Sequence, residues 1–399
     1  MRNRELIRGA SADHEVHLIS VTWQEELKYL AANRRHVASL TFIEKNRSRL
    51  AVMATGLRGL LKRRPLAIAP FFLEAAAEKI HSFLLHNEID LIVFEESLIA
   101  PYLDAIPGNC RARVVIDFHN VISSQSRTMS RMGSGPWKER VFCLLHSFLM
   151  RNWEARYARR VDHCVVVSDQ EASRLGSLVP RVPISVVPNG TGLDTALGES
   201  KGRNTLLFTG TFTYEPNADA VRFFCRSILP LIQRRIPNVK LYIVGIDPSR
   251  DIRALGASEQ NASAPTGNIV VTGEVPDVAP YYENANVAIV PLRAGGGTRL
   301  KILEAMALGR PVVSTAFGCE GLAVKHGEHL MIADHPEDFA DRVTELLENP
   351  ELVQRLCRNA RRLVESRYDW AALSAQFSKI CSQVAKDRIA TAMQATFPI

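Results

Sequence analysis

Residues 268–315 read NIVVTGEVPDVAPYYENANVAIVPLRAGGGTRLKILEAMALGRPVVST. A strand-length apolar run, Val287–Leu292, leads into three successive glycines, Gly295, Gly296 and Gly297. Helical spacing then opens at Thr298 and Arg299, with Lys301 and Glu304 in its first two turns. Glycine lets a backbone approach a ligand closely, and a helix N-terminus offers unpaired N–H groups and partial positive charge. Two added cations suit that position to a diphosphate, while Glu304 is suited to accept hydrogen bonds from sugar or ribose hydroxyls. A second strand, Pro311–Ser314, follows Gly309, as an α/β repeat requires. The stretch reads as a nucleotide-sugar pocket, although glycine-rich turns from strand to helix are common in α/β proteins without one.

The same alternation runs outward from this stretch. Strand-like runs occur at Val16–Thr22, Val37–Ile43, Asp90–Glu95, Val114–Phe118, His163–Ser168 and Ile184–Val187. A second set is Thr205–Thr209, Lys240–Val244, Asn268–Thr272, Val287–Leu292, Pro311–Ser314 and His329–Ile332. Intervening stretches such as Phe72–His86 and Lys138–Arg159 have helical apolar spacing. This pattern predicts two doubly wound (Rossmann-like) α/β domains with parallel sheets. The segment 191–204, short of apolar residues and rich in turn formers, reads as the linker between a domain of residues 1–190 and one of residues 205–368.

A length of 399 residues, 46% hydrophobic and 23% charged, is that of an ordinary globular protein with two cores. Apolar runs are strand-length, so no transmembrane helix is expected, and MRNRELIR is too charged to open a secretory signal. Seven scattered cysteines without a CxxC pair suit a reducing cytosol. No Asp-x-Asp pair and no zinc-like Cys/His spacing occurs, so neither metal nor cofactor is expected. The net charge of +7 is concentrated in Lys45–Arg64, which has no acid, and in Arg127–Arg160, where eight cations face only Glu139 and Glu154. Both segments interleave cations with apolar residues, a pattern that suits peripheral contact with an anionic membrane or a solvated helix face. No nucleic-acid-binding motif accompanies the charge, and nucleic acid is not expected as a partner.

Four further motifs end predicted strands or open helices. RVVIDFHNV (113–121) places Asp117, His119 and Asn120 at a strand's C-terminal end, where doubly wound sheets gather ligands, though a lone His is more often structural. VVPNGTGLD (186–194) offers Asn189 and Gly190, which as an Asn-Gly turn needs no function. LFTGTFTYEPNADAV (207–221) puts Gly210 and Thr211 after a strand and Pro216 at a helix start. VTGEVPDVAPYY (271–282) carries Gly273 and Val275, and GCEGL (318–322) carries Glu320 and Gly321.

LKILEAMALGRPVVST resembles the donor-site segment of the group 1 (family 4) glycosyltransferases, and the other motifs follow in that family's order along nearly the whole chain. The resemblance implies the GT-B fold, two doubly wound domains facing a central cleft, with the helix of residues 369–399 crossing back to an acceptor-side first domain. It implies transfer of a sugar from a nucleotide-diphosphate sugar to a saccharide or lipid-linked acceptor, with retention, in bacterial exopolysaccharide or cell-surface glycan synthesis. The cytoplasm, at the inner face of its membrane, is the implied location. His119 is then assigned to the donor sugar, Arg299 and Lys301 to the leaving diphosphate, and Gly210, Thr211, Gly296, Gly297 and Thr298 to donor phosphates. Gly273 and Val275 go to the base, Glu304 to the ribose, and Asn120, Asn189, Gly190, Glu320 and Gly321 to the cleft or hinge.

Three departures qualify the likeness. Many members supply an Arg and a Lys from the loop after the first donor-domain strand, and neither occurs between Gly210 and Ala220. This leaves the charge to Arg299 and Lys301, as in the exopolysaccharide branch. Of the family's two glutamates separated by seven residues, Glu304 matches the second and Gly296 stands at the first, so sugar preference does not carry over. The chain also opens inside the helix that follows the family's first strand and Gly-rich loop, and the absent strand is central to the family's first sheet. A nucleotide-sugar 2-epimerase needs a cluster of acids that the motifs do not assemble. A non-catalytic nucleotide-sugar-binding subunit of a polysaccharide assembly complex remains the alternative from outside the enzymes.

Overall fold

A computed structural model describes residues 2–23, 33–45, 53, 59, 65–131, 137–193, 198, 200–256 and 268–396. The chain divides into two compact units, residues 1–188 with 370–399 and residues 189–369. The basic segment Lys45–Arg64 lies almost wholly outside the described residues, as do residues 194–197 and 199 of the expected linker.

The first unit opens with α1 (Arg2–Ala10), followed by β1 (His17–Thr22) and β2 (Ser39–Glu44), which pair in parallel as a two-stranded sheet. Next come α2 (Glu74–His86), β3 (Leu91–Glu95), β4 (Arg113–Phe118), α3 (Ile122–Arg131), α4 (Trp137–Ala158), β5 (His163–Val166), α5 (Asp169–Gly176) and β6 (Ile184–Val186). Strands β3-β4-β5-β6 form a four-stranded parallel sheet in that order. All but the first residue of β4 are buried, as expected of a parallel strand covered on both faces. Ser168 caps α5 by accepting from the Glu171 N–H at 3.2 Å.

The second unit runs β7 (Thr205–Thr209), α6 (Glu215–Phe223), α7 (Leu229–Arg235), β8 (Lys240–Val244), α8 (Arg250–Gly256), β9 (Ile269–Gly273), α9 (Ala279–Asn284) and β10 (Val287–Val290). It continues with α10 (Leu300–Ala307), β11 (Val312–Ser314), β12 (Met331–Ile332), α11 (Pro336–Glu348) and α12 (Pro350–Arg367). Its six-stranded parallel sheet has the order β12-β11-β10-β7-β8-β9. Strands β7 and β10 are buried at every residue and sit beside each other in the middle. Leu206, Phe208, Ile243, Ile289, Leu303 and Phe339 belong to the single core built around this sheet.

The last helix, α13 (Trp370–Thr396), belongs to the first unit. Trp370, Leu373, Phe377 and Cys381 pack with Leu6 of α1 and with Val115 and Val165 of the sheet. The crossing of α1 and α13 is tight at Gly9, where a Cβ would stand 2.4 Å from the Cβ of Ser374. Overpacking a helix crossing costs about 1–3 kcal/mol. Gly9→Val should therefore lower the melting temperature by roughly 3–10 °C. Unchanged melting of that variant in calorimetry would show that the crossing is looser than described.

Candidate active site

The glycine turn of the second unit is closed by a tyrosine and an arginine. Gly295 (φ +117°) and Gly297 (φ +74°) adopt backbone conformations that L side chains rarely take. A Cβ on Gly295 would also lie 2.4 Å from the Tyr214 hydroxyl. That hydroxyl accepts a hydrogen bond from the Gly296 N–H at 2.8 Å. Arg299 is buried, and its Nη1 donates to the Gly296 carbonyl and, at 2.8 Å, to the Gly297 carbonyl. Its guanidinium lies 5.3 Å from the centre of the Phe317 ring. Helix α10 starts at Leu300, one to two residues later than the sequence spacing suggests, so Thr298 and Arg299 belong to the turn. The arginine charge is thus aimed at the turn's carbonyls.

Lys301 stands in the first turn of α10, half-buried. Its Nζ donates to Asn217 Oδ1 at 2.9 Å and lies 4.0 Å from the centre of the Phe208 ring. Asn217 Nδ2 donates to the Thr211 carbonyl at 2.8 Å. A Cβ on Gly210 would stand 3.0 Å from the Lys301 ammonium, so this glycine lets the charge approach the loop backbone. Burial, with Arg299 nearby, pushes the Lys301 ammonium down to about 7 against the opposing pull of Glu304.

Glu304, one turn on, accepts from the Tyr282 hydroxyl at 2.9 Å, and burial raises its carboxyl above the usual range. Gly273 ends β9 with φ +75°, its carbonyl accepting from the Gly245 N–H at 3.0 Å, while Val275 packs on the unit's core. Glu320 and Gly321 (φ +82°) lie in the turn after β11. Thr315 Oγ1 ties that turn to the segment between β10 and the glycines, donating to the Leu292 carbonyl and accepting from Gly318 N–H at 2.9 Å. Asn189 and Gly190 open the second unit, where the next residue, Thr191, donates its N–H to the Tyr368 carbonyl at 2.9 Å. Gly210, Thr211, Gly296, Gly297, Arg299 and Lys301 therefore gather at the C-terminal ends of β7 and β10, with Glu304 behind them.

A second cluster lies in the first unit, around His119. The ring Nε2 is 3.2 Å from Glu95 Oε2 and 3.7 Å from Asp117 Oδ2, and Nδ1 is 3.1 Å from Glu96 Oε1. Glu96 has φ +92°, strained for a side-chain-bearing residue, and this turn brings its carboxylate to the ring. Arg2 grips both oxygens of fully buried Asp117, at 2.7 and 2.9 Å, and donates to the carbonyls of Val187 and Pro188. Burial alone lowers the basicity of His119, but its bonds to Glu95 and Glu96 and the charge of Asp117 outweigh it and push the ring up to about 10. Burial in turn raises the Glu95 carboxyl. Asn120 Oδ1 is buried without a hydrogen-bond partner among the described residues.

Sequence reading named His119 but missed Arg2, Glu95, Glu96 and Tyr214. Glu95, Glu96 and Asp117, which the sequence motifs do not bring together, converge on one imidazole. Paired acids at the C-terminal end of a strand were the available signal. Glu95, Asp117 and His119 each place one potential ligand atom within 4.8 Å of the others, a spacing that a cation can span. In this arrangement Arg2 meets Asp117, and carboxylates meet both ring nitrogens.

The comparisons with known proteins agree with this architecture. Two parallel-sheet α/β units in one chain fit the GT-B class. Sucrose-phosphate synthase of Thermosynechococcus elongatus superposes with a TM-score of 0.66 at 19% identity, over 96% of this chain and 92% of that one. HepE of Anabaena, solved in complex with UDP-glucose, gives 0.65 at 12% identity over 96% and 95%. At such identities the likeness is one of fold. Residues 2–195 match the model for glycosyltransferase family 4, and residues 203–349 match that for glycosyl transferases group 1. The chain belongs to this family of glycosyltransferases. A 44.6 kDa protein of the Klebsiella pneumoniae cps region is 27% identical over 168 residues, 41% of this chain and 42% of that protein. A phosphatidyl-myo-inositol mannosyltransferase of Mycobacterium leprae is 25% identical over 247 residues, 59% of this chain and 62% of that protein. The matches thus span about half the length of these curated relatives.

With carboxylates at both ring nitrogens, His119 should be an imidazolium at pH 8, with both nitrogens protonated in ¹⁵N spectra of the ring. Its folded value lies above the ordinary 6.5, so its contribution to stability is complete below about pH 6.5 and is lost as pH rises toward about 10. Glu95→Gln and Glu96→Gln should each lower the ring's titration. A neutral tautomer at pH 8 in the unsubstituted protein would refute the arrangement.

Proposed function

We propose that the protein moves a sugar from a nucleotide-diphosphate sugar to a saccharide or lipid-linked saccharide acceptor. The observation that carries this reading is the Lys301 ammonium held against Gly210 and Asn217 in the first turn of α10, beside a glycine turn. An anion reaching that turn meets the ammonium and the helix's first N–H groups together. Arg299 binds the carbonyls of Gly296 and Gly297, which draws their negative ends away from the anion and adds positive charge nearby. These groups supply the charge that a leaving diphosphate needs, so the reading calls for no metal ion. The half-buried Glu304 accepts from ribose hydroxyls, and Gly273 and Val275 face the base through backbone atoms.

His119, held as an imidazolium with carboxylates at both nitrogens, serves as a contact to the donor sugar and not as a base. The leaving phosphate then takes the acceptor's proton on the same face, which gives retention. The relative from the Klebsiella cps region favours a role in exopolysaccharide or cell-surface glycan synthesis, and the mannosyltransferase relative favours an acceptor joined to lipid. An acceptor joined to lipid puts this work at a membrane, and we propose the inner face of the cytoplasmic membrane. The acids around His119 lend some weight to a nucleotide-sugar 2-epimerase, but Arg2 and the imidazolium oppose their charge, which leaves a poor base.

Of UDP, GDP and ADP, one should raise the melting temperature by mass action. Lys301→Ala should weaken that nucleotide about tenfold or more, the worth of one charge-assisted bond. The ammonium sits at about 7 when free, so a bound diphosphate should draw in a proton. Affinity should then fall as pH rises above about 7. Nucleotide affinity that is flat in pH and untouched by Lys301→Ala would sink the site. Epimer formed from the sugar nucleotide without any acceptor, followed by NMR, would favour the epimerase.

A further inference from the structure

Helix α4 buries Met150, Trp153, Glu154, Tyr157 and Ala158, and leaves a large apolar face uncovered. Trp137 is 70% exposed, Phe142 67%, Phe148 63%, Leu145 57%, Val141 53%, Leu144 52% and Leu149 43%. At about 100° per residue these seven side chains fall within an arc of roughly 160°, along about 18 Å of helix. Single exposed apolar residues are ordinary, but a contiguous face of this size marks an interaction surface.

The charge around the face says what it meets. Arg140, Arg151 and Arg156 are exposed on α4, and Arg127 is exposed on neighbouring α3. Glu154, one of only two acids among residues 127–160, is fully buried. Its carboxylate accepts from the Ile122 N–H at 2.6 Å and from the Ser123 hydroxyl at 2.6 Å. It therefore lends the surface no negative charge, and the helix is more basic outside than its composition suggests. A second copy packed on the same face would bring these arginines toward one another. Anionic lipid head groups complement them, while the aromatic and aliphatic side chains reach the acyl boundary.

We propose that the exposed face of α4 lies in the surface of an anionic bilayer, with Trp137, Phe142, Leu145 and Phe148 inserted and Arg140 and Arg151 at the head groups. This deepens the membrane-side placement proposed above and rests on it. It is tested without reference to sugar transfer. The full chain is sedimented with vesicles of phosphatidylglycerol and phosphatidylcholine, and with phosphatidylcholine alone. The protein should bind the anionic vesicles, and added salt should weaken binding. Phe142→Ser combined with Phe148→Ser should reduce binding about tenfold or more. Both side chains are exposed, so the variant should keep the melting temperature and the nucleotide-induced shift. Arg151→Glu should reduce binding to anionic vesicles alone.

Absence of vesicle binding overturns the proposal, as does binding that the double variant retains, which would place it on another segment. A dimer in light scattering that the double variant abolishes, with no vesicle binding, would assign the face to a second copy. Loss of the nucleotide shift in the unsubstituted protein would count against the donor site and leave the vesicle result to be read on its own.

Discussion

Arg2 and Asp117 form a buried ion pair on which the first unit's functional corner depends. A charge taken out of water is costly unless it is paired and its remaining hydrogen-bonding capacity is met. Asp117 has both oxygens met by one guanidinium, and Arg2 uses its remaining reach on the carbonyls of Val187 and Pro188. One side chain thus ties α1 to the end of β4 and to the chain just past β6. The pair also controls its neighbour. Three carboxylates, Glu95, Glu96 and Asp117, stand near one guanidinium, and a neutral imidazole would leave the acids largely unopposed. Protonating His119 reduces that imbalance. The ring's charge is a consequence of the cluster, and no single partner accounts for it.

The second unit meets a different demand by different means. Its glycine turn needs no buried ion pair, because backbone groups do the holding. Tyr214 accepts the Gly296 N–H, Arg299 gathers two carbonyls, and positive φ angles at Gly295 and Gly297 let the chain turn between them. Close approach recurs across the sheet. A Cβ on Gly245 would fall 1.6 Å from the Gly210 carbonyl oxygen, so the loops after β7 and β8 touch only because Gly245 lacks a side chain. A side chain at Gly245 would force these loops apart, and one at Gly210 would press on Asn217 and the Lys301 ammonium.

The strand–helix alternation was legible in the sequence because buried parallel strands are apolar through their middle positions. VAIV of β10 and TLLFT of β7 announce themselves without alternation. The glycine turn was legible too, since glycine marks its own conformational use. What escaped were contacts between residues far apart in the chain. Arg2 and Asp117 are separated by 115 positions, and Tyr214 and Gly296 by 82. Neither pairing leaves a local pattern. Glu95 and Glu96 escaped because nothing in the sequence shows that β3 and β4 pair with Glu95 opposite Asp117. The start of α10 was placed early for the reverse reason. Thr298 looks like a helix cap, yet Arg299 is held in a non-helical conformation (φ −82°, ψ 80°) with its side chain on the turn's own carbonyls.

Lys301 and His119 show how burial and partners compete. Desolvation opposes the charged form of both groups. At Lys301 the ammonium donates to the neutral amide of Asn217, Arg299 adds like charge, and Glu304 accepts from Tyr282, so desolvation prevails. At His119 carboxylates reach both ring nitrogens, and desolvation loses. The lysine is thus short of negative charge, and the histidine has more than it can neutralise. A diphosphate would supply to the first what Glu95 and Glu96 already supply to the second. That asymmetry gives an anionic ligand a reason to settle at α10 and none to settle among the acids of the first unit.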